Sequence, residues 1–261
     1  MTTKTRRWIF LTLVLILCIS ALLGRTQIYY LYRDISFYFQ DHTEAELAVK
    51  AYAEEQGISY GQYPQSLIDL YERNPETEDF VLNYPFREEL PLDLTSCERN
   101  NSVPLFLQWD PMWGYEFYGS DRIAITGCGP TCLAMAGYYL TGEETFNPLT
   151  VAQFAEDNGY YETGYGSSWT LISQGGPELG LEVEEIPLVK KKMTDALEEG
   201  SLIICAMGSG DFTTTGHYIL LTGLSDGEFT VNDPNSRENS QKTWSYDRLE
   251  SQIRNLWIIR A

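Results

Sequence analysis

The chain has 261 residues, with 18 Lys and Arg against 37 Asp and Glu and a formal net charge of −19. That length holds one sizeable domain with appendages, or two small domains, and 43% hydrophobic residues exclude a disordered chain. Nucleic acid is excluded as a partner, because the chain as a whole lacks the basic footprint that meets phosphate.

Lys4, Arg6, Arg7 and Arg25 are the only charged residues in 1–25. Between them, residues 8–24 (WIFLTLVLILCISALLG) carry no charge. As a helix this segment spans about 25 Å, the short end of a bilayer crossing. Three bases precede it and bias its N-terminus to the cytoplasm, and Tyr29, Tyr30 and Tyr32 follow it as an interfacial belt would. Residues 1–25 are therefore expected to be a cytoplasmic tip and signal anchor, with everything after them outside the cytoplasm. Cleavage as a secretory signal is the alternative, although no A-x-A site stands near Ala21 or Gly24. Leu17 argues against a lipid on Cys18, where such motifs want a small residue.

The pattern of 44–56 predicts a helix closed by Gly57, and 65–73 predicts another, stopped by Pro75. A third fits 76–83. Residues 26–100 read as a helical spacer segment expected to pack on the main domain. The polar stretch 87–102 has no period, so the main domain is placed at 101–261. There, 103–109 reads as a strand or an extended lead-in. Residues 131–140 read as a buried helix, and 148–157 as a helix opened by Asn147-Pro148. A helical spacing covers 166–175, a strand 182–188 and a short helix 194–200; Lys190-Lys191-Lys192 reads as a solvated loop. Apolar runs at 201–207, 217–224, 228–233 and 256–260 predict strands. Asp226-Gly227 between two of them is a hairpin signal. Helices first and strands last predict an α+β fold with an antiparallel sheet.

Only two histidines occur, His42 and His217, and five cysteines: Cys18, Cys97, Cys128, Cys132 and Cys205. One His beside several Cys suggests a Cys–His nucleophile. Cys128 lies in TGCGPTC, where glycines let the chain turn and a substrate approach. Pro130 suits a first helical turn, which puts Cys128 at a helix N-terminus, where thiolate is favoured. Cys132 and Cys205 read as small core residues. His217 opens a strand. With Asp226-Gly227 as a two-residue loop it falls opposite Ser236, and a looser register puts it opposite Asp233. Asp233 could hold the imidazole tautomer, and Asn232 or Asn235 could do so instead. Gln108 could point its amide at a developing oxyanion beside the Cys128 N–H. The cluster Trp109, Trp113, Tyr115, Tyr118 and the stretch 164–169 (GYGSSW) are candidate cleft walls, and 211–215 a candidate lip.

The order Gln108, Cys128 in GCGPTC, His217 in TTGHYILLTG and Asp233 in VNDPNS resembles the papain-like cysteine peptidases. More narrowly it is similar to the C39-like domain that trims double-glycine leaders from bacteriocins, over about 103–260. The resemblance implies a papain-like fold, with the nucleophile helix packed on a C-terminal sheet. It implies Cys128 as nucleophile, His217 as base, Asp233 as orienter and Gln108 as oxyanion residue. It calls for no cofactor and no metal. With no P-loop or transporter bundle in this sequence, it points to a stand-alone, membrane-anchored relative on a Gram-positive cell surface. The expected partner is a peptide or protein substrate, cell-wall peptide included. A silent peptide-binding module on the same fold is the alternative. A redox or zinc site at Cys128, Cys132 and His217 is a third reading, since positions 128 and 132 share a helix face.

Overall fold

The computed structural model describes Trp8, Thr12, Ala21, residues 24–100 and residues 102–261. The anchor segment 8–24 therefore lies, apart from Trp8, Thr12, Ala21 and Gly24, outside the described residues. Among the described residues no helix is long and apolar enough to cross a membrane. Contacts divide the chain into two units between Pro75 and Glu76.

The N-terminal unit is helical. Residues 24–37 form α1, Glu44–Glu55 α2 and Gln65–Arg73 α3. Thr43 opens α2 with a reciprocal capping box to Glu46. Val49, Ala53, Tyr63, Leu67 and Ile68 are buried in this unit. His42 stacks on Phe37 at 3.6 Å between ring centroids and serves this local packing.

The C-terminal unit begins at Glu76, earlier than the change in sequence texture near residue 101. The reason is packing: Glu78–Leu82 (α4) brings Phe80 flat against Tyr115 at 4.2 Å. Its remaining long helices are Cys128–Thr141 (α5), Pro148–Asp157 (α6) and Lys190–Glu198 (α7). Asn147 caps α6 by accepting from Thr150 N–H, with Pro148 in the first turn. Two one-turn helices, Arg237–Ser240 (α8) and Tyr246–Glu250 (α9), follow late in the chain.

The sheet has six strands: Glu182–Glu185 (β1), Leu202–Met207 (β2), His217–Ser225 (β3), Glu228–Asn232 (β4), Thr243–Trp244 (β5) and Ile253–Arg260 (β6). Their order is β5-β4-β3-β2-β6-β1, antiparallel throughout. The fold is α+β and papain-like, with the helix that starts at Cys128 packed on β3 and β2. All of β2 is buried, which is why it reads as a continuous apolar run. Ile203, Cys205 and Met207 join Ile219, Leu221, Phe229 and Val231 in a core cluster that also takes Met193, Ala196 and Leu197 of α7.

Several elements differ from the sequence reading. The three lysines 190–192 are the first turn of α7, not a loop. Met193, Ala196 and Leu197 give the helix its buried stripe, and Lys191 pairs with Asp195 at 2.7 Å on the outer side. In 103–109 only Val103–Pro104 pairs as a strand, with Arg99–Asn100. Gly166–Ser167 pairs with Tyr161–Glu162, and helical geometry starts only at Thr170.

The hairpin turns as the Asp-Gly signal requires. Asp226 (φ 52°) and Gly227 (φ 78°) are both left-handed, and Ser225 faces Glu228. One residue of register is then lost beside Thr230, so Asn232 faces Leu220. β4 stops there, and Asp233 bridges Ser236 as the chain folds back. Neither simple register holds to its end.

Close packing makes one testable demand. A Cβ on Gly137, in the middle of α5, would stand 2.0 Å from the buried Phe146 ring. Gly137→Ala is expected to destabilise the C-terminal unit by about 1–3 kcal/mol despite its better helix propensity. A lowered denaturant midpoint with unchanged m-value checks this.

Candidate active site

Gly127 precedes α5 with no side-chain cap. The first N–H groups of a 14-residue helix therefore look out beside Cys128, whose side chain is half-buried. Gly129 and Gly166 let the loop 164–169 close on this turn. A Cβ at 129 would stand 2.7 Å from Ser167 Oγ, and one at 166 would stand 2.9 Å from the Thr126 carbonyl. Ser167 is pinned from both sides: its hydroxyl meets Tyr118 OH at 2.8 Å, and its carbonyl accepts from Tyr218 OH at 3.3 Å.

His217, at the start of β3, is buried, and its Nε2 lies 2.7 Å from Asp233 Oδ1. Asp233 is 1% exposed. Its Oδ1 also accepts from Asn235 N–H at 2.9 Å, and its Oδ2 accepts from Asn239 Nδ2 at 2.8 Å. With Nε2 committed to Asp233, Nδ1 is the ring nitrogen left for Cys128, which lines the same cleft and acts electrostatically on the imidazole. Burial alone would make the imidazolium harder to form. The Asp233 carboxylate and the Cys128 sulfur outweigh that burial and raise the His217 pKa to about 10.

Asn232 is not the orienter, because its Nδ2 donates to the Pro104 carbonyl at 2.8 Å. Gln108 is buried at 4% exposure. Its Nε2 donates to the Ala124 carbonyl at 2.7 Å, one helical turn before Cys128, and its Oε1 has no partner. Its own N–H donates to the Pro234 carbonyl at 2.7 Å. Gln108 thus braces the Asp233 loop and the Cys128 turn together.

A cleft of about 620 Å³ opens over this group, lined by Cys128, His217, Tyr165, Trp169, Gly208 and Arg254 among others. The stretch 164–169 forms one wall, and Thr215 with Gly216 forms part of another. Trp109, Trp113, Tyr115 and Tyr118 do not line it. Tyr118 stands behind the wall on Ser167, and Trp109 puts its Nε1 on the Asn235 carbonyl at 3.0 Å. Cys132 and Cys205 are fully buried, and burial pushes both thiols well up. No disulfide joins the described cysteines, and among the described residues no group of three or more His, Cys, Asp and Glu is placed to hold a metal ion.

The sequence model described as Peptidase_C39 like family matches residues 100–260. The chain belongs to that family. Among solved structures it is similar to the peptidase domain of Streptococcus ComA, a bi-functional ABC transporter involved in a quorum sensing pathway. Identity there is 18%, over 52% of this chain and 91% of that one, with a TM-score of 0.42. It is also similar to a C39-like peptidase from Bacillus anthracis, at 13% identity over 61% and 94% of the two chains and a TM-score of 0.36. No curated protein matches the chain.

Sequence reasoning missed Asn239 and Ser240, which hold Asp233 from α8. The Ser236-x-x-Asn239 spacing was the available signal, because Ser236 Oγ caps the turn by accepting from Asn239 N–H at 3.1 Å.

Proposed function

We propose that this family member is an active cysteine peptidase, a thiol hydrolase that cleaves a peptide or amide bond. The observation that carries the reading is the buried His217–Asp233 pair at 2.7 Å in a cleft that Cys128 also lines. His217 takes the Cys128 proton, and the thiolate attacks the carbonyl carbon. The oxyanion is met by the Cys128 N–H and by the second N–H of the Gln108 amide, the first being on Ala124. The imidazolium gives its proton to the leaving amine, and an acyl thioester forms. Water, deprotonated by His217, then releases the acid and restores the thiol. The substrate is a peptide or protein, with cell-wall peptide within that class. The basic tip and apolar 8–24 segment support a single-pass anchor with this unit outside the cytoplasm. Protease digestion of the C-terminal unit on intact cells tests that placement.

The test of the chemistry is iodoacetamide alkylation against pH, mapped to each cysteine, with His217→Ala alongside. At pH 5 an ordinary thiol of pKa ~8.5 is roughly one part in 3,000 thiolate. A thiolate held by an imidazolium is fully formed, but each one is about 10²-fold less nucleophilic. Population wins. Cys128 is expected to react about 30-fold faster at pH 5 in the native chain than in His217→Ala. Equal rates would leave a silent peptide-binding module as the reading.

A further inference from the structure

Glu76 sits in the turn Pro75–Thr77, outside the residues matched by the family. Its carboxylate nevertheless holds the start of α8. Oε1 accepts from Ser236 Oγ at 2.6 Å and from Glu238 N–H at 3.3 Å, and Oε2 accepts from Arg237 N–H at 2.9 Å. The Ser236 hydroxyl has one proton, and it goes to Glu76. The oxygen is then left to accept from Asn239 N–H, which closes the turn. From that turn two side chains reach Asp233. Asn239 Nδ2 donates to Oδ2 at 2.8 Å, and Ser240 Oγ accepts from Asp233 N–H at 2.9 Å.

Neighbouring residues support the same turn. Asn100 Nδ2 donates to the Ser240 carbonyl at 2.6 Å and to the Val231 carbonyl at 3.0 Å. The Arg237 guanidinium turns to Glu98 at 2.6 Å and over the Trp109 ring at 4.6 Å. Glu76 therefore grips backbone N–H groups and a hydroxyl, while the arginine charge is engaged elsewhere. A four-residue helix cannot hold its own shape. An outside clamp is what keeps Asn239 aimed at Asp233, and a misplacement of about 1 Å at a reacting group costs roughly 10²-fold in rate.

We infer that Glu76 is a positioning residue of this site: by tying down α8 it sets Asn239 and Ser240, and through them the Asp233 carboxylate on His217 Nε2. This rests on Cys128 and His217 working as a pair. It makes a residue ahead of the family-matched region part of the catalytic arrangement.

The test uses the full chain. With two histidines present, His42→Gln leaves one imidazole, and the Nε2 proton shared with Asp233 gives a downfield proton resonance of its own. The ionisable groups that act most on this ring are Asp233 and Cys128, and Glu162 and Arg254 line the same cleft. Glu76→Ala is expected to shift or broaden that resonance. It is also expected to move the acid limb of Cys128 alkylation up by about one pH unit, a tenfold slower rate on that limb. Glu76→Gln keeps an acceptor for Ser236 but sets an amide donor against Arg237 N–H, so a partial shift is expected. Ser236→Ala, which removes one bond and no charge, is expected to shift both readouts the same way by less. Native values of both in a folded Glu76→Ala overturn the inference. Should Glu76→Ala not fold, native values in both Glu76→Gln and Ser236→Ala overturn it equally. A native chain whose Cys128 reactivity does not depend on His217 overturns the peptidase reading instead, and the His217 resonance still decides whether Glu76 sets Asp233.

Discussion

Cys128→Ala is expected to reduce peptide hydrolysis to background, a loss of at least about 10⁴-fold. Among the described residues no other cysteine can take over. Cys132 and Cys205 are fully buried, and burial holds their thiols protonated. Burial likewise pushes the Cys97 thiol up to about 12. The fold should survive, because the residue removed is half-buried at the first position of α5 and is not one of the buried core residues. The His217–Asp233 pair and the cleft also remain, so peptide binding persists while cleavage stops. Mass spectrometry of a peptide library incubated with native and variant protein, together with a thermal melt of each, checks both halves. Full hydrolysis by Cys128→Ala would remove the nucleophile reading outright.

The elements legible in the sequence were those whose signal is local. α5 announces itself through Gly127, Pro130 and an unbroken apolar run, and the β3–β4 hairpin through Asp226-Gly227. Both follow from backbone restrictions of a few residue types. The elements misread depend on partners distant in the chain. Lys190–Lys192 look like a solvated loop because their helix is revealed only by Met193, Ala196 and Leu197 meeting the sheet. The segment after Val103 looks like a strand, yet most of its hydrogen bonds go elsewhere, as in Gln108 N–H on the Pro234 carbonyl.

The site divides the same way. Cys128 and His217 stand out as residue types next to glycines. Asp233 could be placed only within a few residues of His217, since a one-residue slip beside Thr230 cannot be seen in a hydrophobic pattern. What picks it over Asn232 is the direction each side chain takes where β4 ends. Asn232 points to the Pro104 carbonyl, and Asp233 to the imidazole. Glu76 had no signal at all, because it meets α8 only after the whole chain has folded.

Asp233→Ala is expected to cost more stability than any other change at the site, about 3–5 kcal/mol, because it leaves a buried charge without its partner. Three donors lose their acceptor together: His217 Nε2, Asn235 N–H and Asn239 Nδ2. The loss should also depend on pH, and its sign follows from His217. In the native chain the imidazolium pKa stands near 10, above the unfolded value of about 6.5. Its contribution to stability is full below about pH 6.5 and is lost as pH rises through about 10. A proton that passes from Cys128 to His217 leaves the proton count unchanged, so the native slope is shallower than ~1.4 kcal/mol per unit. Without the carboxylate, burial is opposed by Cys128 alone and the imidazolium becomes harder to form. The stability gap between native and Asp233→Ala protein is therefore widest near pH 6.5 and narrows toward pH 10. Denaturant unfolding of both at the two pH values measures it. A gap that is constant, or that widens toward pH 10, would mean that Asp233 serves the α8 turn and not the charge on His217.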